Sequence, residues 1–442
     1  MSGSGDRASI AVVGGGIAGV SAALALAESG AFRVTLFEKG AELGGLCRPY
    51  RDGAAAVCDR YYHVILPSDE ATLAFIERMG LGGRLHWTAS RSGFFRGGRT
   101  APFSSSLDFA RFPFLSPWGK FRLGWGIFRA SRMKSPAEND ELTAAAWLEC
   151  VFGAGVAGAF WDPLLRSKLG EARRDAPASF IWATIRRLGE ARRGMNKKEH
   201  LGYVEGGYAA VFEAARAALA GAGVEVHLSA PVLGMALRGG RIALRTPAGD
   251  ADFDRALFAV PDPAIPDPDG GPGFPRAAAS DHLGVVCALL RLKRGLTPYY
   301  VLNLLDTDLP FTGVIESTNV VPPDAFGGAR LVYLPKYVTA DDPLRRASDA
   351  DVLAAFLEGL HRIAPDLGDD EILDARVFRD DAVFPRPRRA ADRAAAAIRL
   401  PWPGAYKANA TLLTDDTLNN DAMLKIAAEA VGEIVADYKR KR

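Results

Sequence analysis

Gly14, Gly16 and Gly19 stand in the spacing G-x-G-x-x-G, with Ile17 and Ala18 before the last glycine, and Glu38 comes 19 residues after Gly19. These residue types at this spacing hold a dinucleotide. Gly14 permits a tight turn, Gly16 lets the backbone approach a pyrophosphate, and Gly19 lets a helix pack closely on a strand. The N–H groups of a helix that begins at Ile17 and Ala18 point at the phosphates, and its dipole favours them. Glu38 can accept hydrogen bonds from ribose hydroxyls, and its charge repels a 2′-phosphate. The elements that must position these groups are also present. Ser9–Val13 is a β-like apolar run, Val20–Ser29 a small-residue helical segment, and Arg33–Phe37 a second β-like run that delivers Glu38. The pattern predicts a βαβ unit; a glycine-rich turn in some other α/β protein is the plainer alternative.

Directly after Glu38 comes Lys39-Gly-Ala-Glu-Leu-Gly44-Gly45-Leu46-Cys-Arg48. With its second glycine pair, the segment resembles the extended FAD fingerprint of the flavin amine oxidase superfamily. That superfamily includes protoporphyrinogen oxidases, phytoene desaturases and monoamine oxidases. The resemblance runs over nearly the whole chain and implies an α/β fold. Its Rossmann-like FAD-binding domain would comprise residues 1–65, 203–284 and 385–442, with a discontinuous α+β substrate domain at 66–202 and 285–384. It implies that the loop through Lys39, Gly44, Gly45 and Leu46 passes over the cofactor phosphates and that Arg48 lies near the flavin. It implies that Val232 contacts the adenine through its backbone, which is compatible with an ordinary core valine. It also implies that the C-terminus returns to the cofactor at Asn409, Asn419 and Asn420. The last two would either cap the final helix or present N–H groups to the flavin. That segment has no cysteine, so the cysteinyl-flavin bond of monoamine oxidases cannot form, and the FAD is expected to be noncovalent.

The chain departs from the family pattern where chemistry is expected. Relatives carry D-x-G-G-H or D-x-G-x-H after the second glycine pair, and here the segment is Asp59-Arg-Tyr61-Tyr62-His63. Two tyrosines replace glycines that lie against the isoalloxazine, which would narrow the cavity or change its open face. His63 either polarises a carbonyl or is a buried, satisfied histidine. Glu316, in the apolar run Phe311–Thr318 with Asn319 close behind, is costly to bury unless used or paired. Lys336 and Lys168 are alternative lysines for a place beside the flavin.

Composition excludes several function classes. The net charge is +2, giving no global attraction to nucleic acid. The four cysteines form no C-x-x-C pair, which suits a reducing cytoplasm and argues against disulfides. The six histidines show no ligand spacing, so no metal is expected. Ala8–Ala27 carries no charge, but its glycines and β-then-helix pattern fit the nucleotide fold better than a membrane span. Phe109–Phe128 holds seven aromatics among the basic residues Arg111, Lys120, Arg122, Arg129, Arg132 and Lys134, with no acid until Glu138. Residues 107–134 are therefore an interfacial segment on an anionic bilayer, an apolar substrate entrance, or a core helix pair with a solvated basic edge. Further along, Tyr208, Val211, Phe212, Ala215 and Leu219 fall at helical spacing, and a hairpin is expected at Leu233–Leu237 and Arg241–Arg245.

The resulting expectation is an FAD-dependent oxidoreductase that moves a hydride from a small, apolar, lipid- or isoprenoid-like substrate to flavin N5, with oxygen, a quinone or another acceptor completing the cycle. Its place is the cytoplasm, at or away from the inner face of a membrane. An amine oxidase and a non-redox sugar-nucleotide mutase are alternatives within flavoenzymes. The mutase would need arginines such as Arg166, Arg173, Arg174, Arg186 and Arg187 to grip a diphosphate. A flavin-holding protein without turnover is the alternative of another class.

Overall fold

The computed structural model describes residues 7–52, 55–133, 141–190, 200–268, 282–387, 397–413 and 418–440. Lys134 lies outside them. The predicted βαβ unit forms: strand Ala8–Val13, helix Ile17–Glu28 and strand Phe32–Phe37. These strands belong to a five-stranded parallel sheet in the order Ala405–Lys407, Arg255–Phe258, Ala8–Val13, Phe32–Phe37 and Glu225–His227. Its central strands are buried almost throughout, as expected of a parallel sheet covered on both faces. Helices Ile17–Glu28 and Asn420–Arg440 pack together, and the latter buries Ile426, Ala427, Ala430 and Ile434. Because the strands are parallel, Gly14, Glu38, Leu228, Ala259 and Ala408 all follow strand ends at one edge. That edge is where an open α/β sheet takes its ligand.

A second, mixed sheet has seven strands in the order Ile372–Pro385, His282–Leu292, Arg330–Val338, Gly313–Glu316, Val301–Leu304, Ser92–Arg96 and Arg99–Pro102. Side chains alternate between its faces. Val286, Ala288, Leu290, Val332 and Leu334 pack on helix Asp349–His361 through Val352, Phe356 and Leu360. Cys287, Leu289, Leu331 and Tyr333 turn the other way, joining Leu46, Tyr61 and Tyr62 from the segment that leaves the glycine pair. Residues 106–133 and 141–190 supply a helical layer with its own core of Phe112, Leu123, Trp147, Phe152, Phe160, Trp161 and Trp182.

Several boundaries differ from the sequence reading. The helix Gly207–Gly221 buries the five residues expected of it. The hairpin forms, but gains a third strand, Gly249–Phe253. The run Phe311–Thr318 is a strand only over Gly313–Glu316, since Ser317–Asn319 turns sharply. The expected boundary at residue 203 falls inside strand His200–Val204, which pairs with Leu85–Ala89.

Candidate active site

The two glycine pairs of the fingerprint are stacked. The Gly44 N–H donates to the Gly15 carbonyl at 2.9 Å, and a Cβ added at Gly45 would lie 2.9 Å from the Gly16 Cα. Gly14 has φ +110°, and its added Cβ would lie 2.6 Å from the Ala259 carbonyl oxygen. Gly19 is tighter still, at 1.9 Å from the Gly14 oxygen. Gly16 differs: its added Cβ would meet only the Gly45 Cα, at an ordinary 3.7 Å. The protein's own packing does not require glycine at position 16, whereas close approach of a phosphate would. Gly16 is also the N-cap of helix Ile17–Glu28, and no side chain caps it, so the N–H groups at Ile17, Ala18 and Gly19 remain for an anion. These residues fit a dinucleotide pyrophosphate.

Glu38 is buried at this edge, accepting from the N–H of Gly15 at 2.6 Å and of Gly40 at 2.7 Å. Lys39 beside it is exposed. Val232 sits next to Glu38, because the Ala230 N–H donates to the Glu38 carbonyl and the Ser229 N–H to that of Gly40. Its side chain packs on the core under Phe37 and Phe258. Arg48 donates to the Gly45 carbonyl at 2.9 Å and faces the Asp380 carboxylate at 4.0 Å, bridging from the glycine loop to the second sheet.

Beyond Gly45 the chain enters a half-buried polar cluster. Cys47 donates to Asn420 Oδ1 at 3.4 Å and lies 3.5 Å from His63 Nε2; Tyr208 also bonds Asn420. Asn419 accepts from the Ala422 N–H at 2.9 Å and so caps the last helix, the plainer of its two expected roles. Burial lowers the His63 pKa to about 4, so its ring is neutral. Its Nδ1 lies 2.9 Å from the Tyr61 carbonyl. A carbonyl only accepts, so Nδ1 carries the proton and Nε2 is left as an acceptor. That geometry removes the expected role of polarising a carbonyl, because the free nitrogen has no proton to donate. Asp59 is raised to about 7 by burial, opposed by a hydrogen bond from the Tyr208 N–H at 3.3 Å. The Cys47 thiol is pushed up by burial as well.

Glu316 and Lys336 do not join this cluster. Ile315 pairs with Tyr333 on the tyrosine face, so Glu316 points through the opposite face. There it accepts from the N–H groups of Leu296 and Thr297 at 3.1 and 2.9 Å, and burial raises its pKa. Asn319 ties down the same turn through the carbonyls of Thr297 and Tyr299. Lys336 alternates with Tyr337 and lies on the face of Val332 and Leu334; burial lowers its pKa, with Asp342 opposing. Lys168 is exposed. Strand alternation thus sets Glu316 and Lys336, the expected catalytic residues, on the side of the sheet away from the tyrosine cluster.

The two tyrosines that replace glycines interlock with the second sheet. Tyr61 donates to Asp380 at 2.8 Å, Tyr62 shares a hydrogen bond with Tyr337, and Tyr333 donates to the Asp59 carbonyl at 2.7 Å. Of the arginines that could hold a diphosphate, Arg166, Arg173 and Arg174 all pair with Glu171, and Arg186 stacks on Trp182. The Arg187 side chain lies outside the described residues. Asn409 is fully engaged, donating to the Val260 carbonyl and Asp262 and accepting from Thr411. It belongs to a network that sequence reading missed, in which Lys407 and Asp262 form a buried pair at 2.9 Å. A lysine inside the apolar strand Ala405–Lys407 was the available signal, since a charge there demands a buried partner. No group of residues able to hold a metal ion is found among the described residues.

The carotenoid phi-ring synthase of Streptomyces griseus is 35% identical over 115 residues, which is 23% of this chain and only 22% of that enzyme's length. A protoporphyrinogen oxidase candidate from Exiguobacterium sp. 255-15 superposes with a TM-score of 0.76 at 18% identity, covering 98% of this chain and 99% of that one. A reduced UDP-galactopyranose mutase superposes with a TM-score of 0.72 at 16% identity, covering 97% and 96%. At these identities the two structures establish the fold. The family described as flavin containing amine oxidoreductase matches residues 17–410, and this chain belongs to that family.

Proposed function

We propose that the protein binds FAD noncovalently and oxidises an apolar, lipid- or isoprenoid-like substrate by hydride transfer. The observation that carries the substrate class is the composition of the sheet face that meets the glycine segment. Against Tyr61 and Tyr62 of that segment it sets Tyr300, Tyr333, Leu289, Ile315 and Leu331, while the buried acid of that sheet, Glu316, is turned away. Of the acids at that face, Asp380 accepts from the Tyr61 hydroxyl and faces Arg48, and Asp59 is raised to about 7 by burial, so both are poor partners for an ammonium. The partial similarity to a carotenoid phi-ring synthase supports the same class. The pairing of Arg166, Arg173 and Arg174 with Glu171 weighs against the mutase alternative.

FAD, when bound, supplies the hydride acceptor. Gly16 and Gly45 admit its pyrophosphate, Ile17, Ala18 and Gly19 direct N–H groups at it, and Glu38 takes the ribose. Leu46, Val232 and the start of the Asn420 helix complete the frame. The tyrosine face excludes water and orients the substrate, and the neutral His63 holds Nε2 as an acceptor beside Cys47. Residues 1–65, 203–284 and 385–442 then form the FAD-binding domain, and residues 66–202 and 285–384 the substrate domain. Reoxidation by oxygen, a quinone or another acceptor closes the cycle. The four free thiols suit the cytoplasm, and an apolar substrate would suit a station at the inner face of a membrane.

The test has two arms. Acid precipitation should release intact FAD and leave a colourless polypeptide. Anaerobic mixing with isoprenoids and with primary amines should bleach the flavin only with the former. Bleaching by amines, or flavin retained on the denatured chain, overturns the reading.

A further inference from the structure

We propose that helix Pro117–Arg132 is an interfacial anchor that lays the protein on an anionic bilayer, its outer aromatic stripe inserted among the acyl chains. The proposal deepens the apolar-substrate reading by naming the surface at which such a substrate is met, and its test does not depend on turnover.

The helix has two faces of opposite purpose. Gly119, Leu123, Gly126 and Ala130 are buried. An added Cβ at Gly126 would lie 2.3 Å from the Phe152 ring, so the small residue lets the helix close on helix Ala144–Phe152. The Trp182 indole donates to the Ala130 carbonyl at 3.1 Å and Arg122 to the Phe152 carbonyl at 2.7 Å. The inner face is therefore fixed firmly to the helical layer. The outer face presents Trp118, Phe121, Trp125 and Phe128, exposed by 64, 59, 53 and 43%. Their spacing of three, four and three residues puts them on one stripe. They stack in pairs, Trp118 on Phe121 with centroids 5.3 Å apart and Trp125 on Phe128 at 5.6 Å. Leu107, on the preceding helix, adds another exposed apolar side chain. A soluble surface seldom gathers four aromatic rings in one line unless something covers them.

Charge selects the occupant. Arg111, Arg129 and Arg132 are exposed around the stripe, and Arg132 lies 4.1 Å over the Phe128 ring. The helix itself carries no acid. Of the adjoining helices, Ser106–Arg111 carries Asp108, engaged in its capping, and Ala144–Phe152 carries Glu149. Aromatic rings with a basic border match the boundary between acyl chains and anionic headgroups. At 16 residues the helix spans about 24 Å, and among the described residues no helix is long and apolar enough to cross a membrane. The anchor must therefore lie along the surface.

The flavin-loaded full chain is sedimented with phosphatidylcholine vesicles and with vesicles containing phosphatidylglycerol, at low and high salt. Wild type should pellet with the anionic vesicles, lose part of that binding in salt, and have its tryptophan fluorescence quenched by brominated acyl chains. Trp118→Ala/Trp125→Ala should weaken vesicle affinity roughly tenfold or more while keeping its flavin. Arg129→Gln/Arg132→Gln should lose the preference for anionic lipid. Wild type that stays in the supernatant at low salt overturns the proposal. So does an aromatic variant that binds equally well, or a wild-type dimer that the aromatic substitutions dissociate, which would make a second copy the occupant. Failure of the isoprenoid assay with vesicle binding intact would strike the substrate reading alone.

Discussion

The glycine edge of the parallel sheet and the tyrosine face of the seven-stranded sheet meet at residues 45–63, yet they are built on different principles. At the glycine edge the working groups are backbone N–H groups and the absence of side chains, held by contacts as short as the 2.9 Å bond from Gly44 to Gly15. On the tyrosine face the working groups are side chains drawn from distant strands and interlocked by hydroxyls, as in Tyr61 with Asp380. The first arrangement fixes a cofactor common to a whole family. The second can be refilled without disturbing the first, which is why a fold shared with an oxidase candidate and a mutase leaves the substrate open.

The largest expected effect separates two glycines within the edge itself. Gly19→Val drives a side chain into the Gly14 carbonyl and should abolish folding. Gly16→Val meets only Gly45 inside the protein, so it should fold and emerge without flavin. It would thereby lose the stabilisation that bound cofactor confers, about 4 kcal/mol at a thousandfold excess over Kd. Flavin content and thermal melts check both variants. A Gly16→Val protein with stoichiometric flavin would place the cofactor elsewhere.

Next in size is the buried pair at the end of the same edge. Lys407→Met leaves Asp262 charged and buried, and should cost about 3–5 kcal/mol in denaturant unfolding. Lys407→Met/Asp262→Leu should recover most of that loss, because neither charge then remains unpaired. A double variant no better than the single would show that the Asn409–Thr411 network, rather than the pair, holds the edge.

The far side of the second sheet gives a smaller effect. Glu316→Ala strips acceptors from the N–H groups of Leu296 and Thr297, costing about 1–3 kcal/mol of stability. Flavin reduction per folded molecule should be unchanged, and so it should be in Lys336→Met. A loss of reduction rate in either would reverse the assignment of these residues to the far face.

Legibility in the sequence follows the same division. The glycine edge was readable because its residues are neighbours in the chain and their types are dictated by sterics. The helix and strand that carry it could be bounded to within a few residues. The tyrosine face was not readable. The choice between Glu316 inward and outward depends on strand phase, and the turn at Ser317–Asn319 set that phase. Strand Ile372–Pro385, with five charged residues among its fourteen, gives no clean alternation, yet it pairs with His282–Leu292 and supplies Asp380. His63 was found by register, but its role turned on which nitrogen faces the Tyr61 carbonyl, a matter of geometry.

A further effect lies where the two regions meet, in two half-buried groups whose titrations oppose each other. Asp59 is near 7 when folded against an ordinary 3.8, so between about 4 and 7 the native state holds a proton that the unfolded chain has lost. Stability from this group therefore falls as pH rises through that window. His63 is near 4 against an ordinary 6.5, so between those values the unfolded chain holds the extra proton. Its contribution falls as pH drops. Asp59→Asn keeps an oxygen for the Tyr208 N–H and removes the first titration only. The Tm of the variant minus that of wild type should be smallest near pH 4, rise to about pH 7 and then level off, while acid sensitivity from His63 persists. A difference that stays flat across this range would mean that Asp59 is ionised in the folded protein. The junction would then hold a charge, and an amine would again become a reasonable ligand for the tyrosine face.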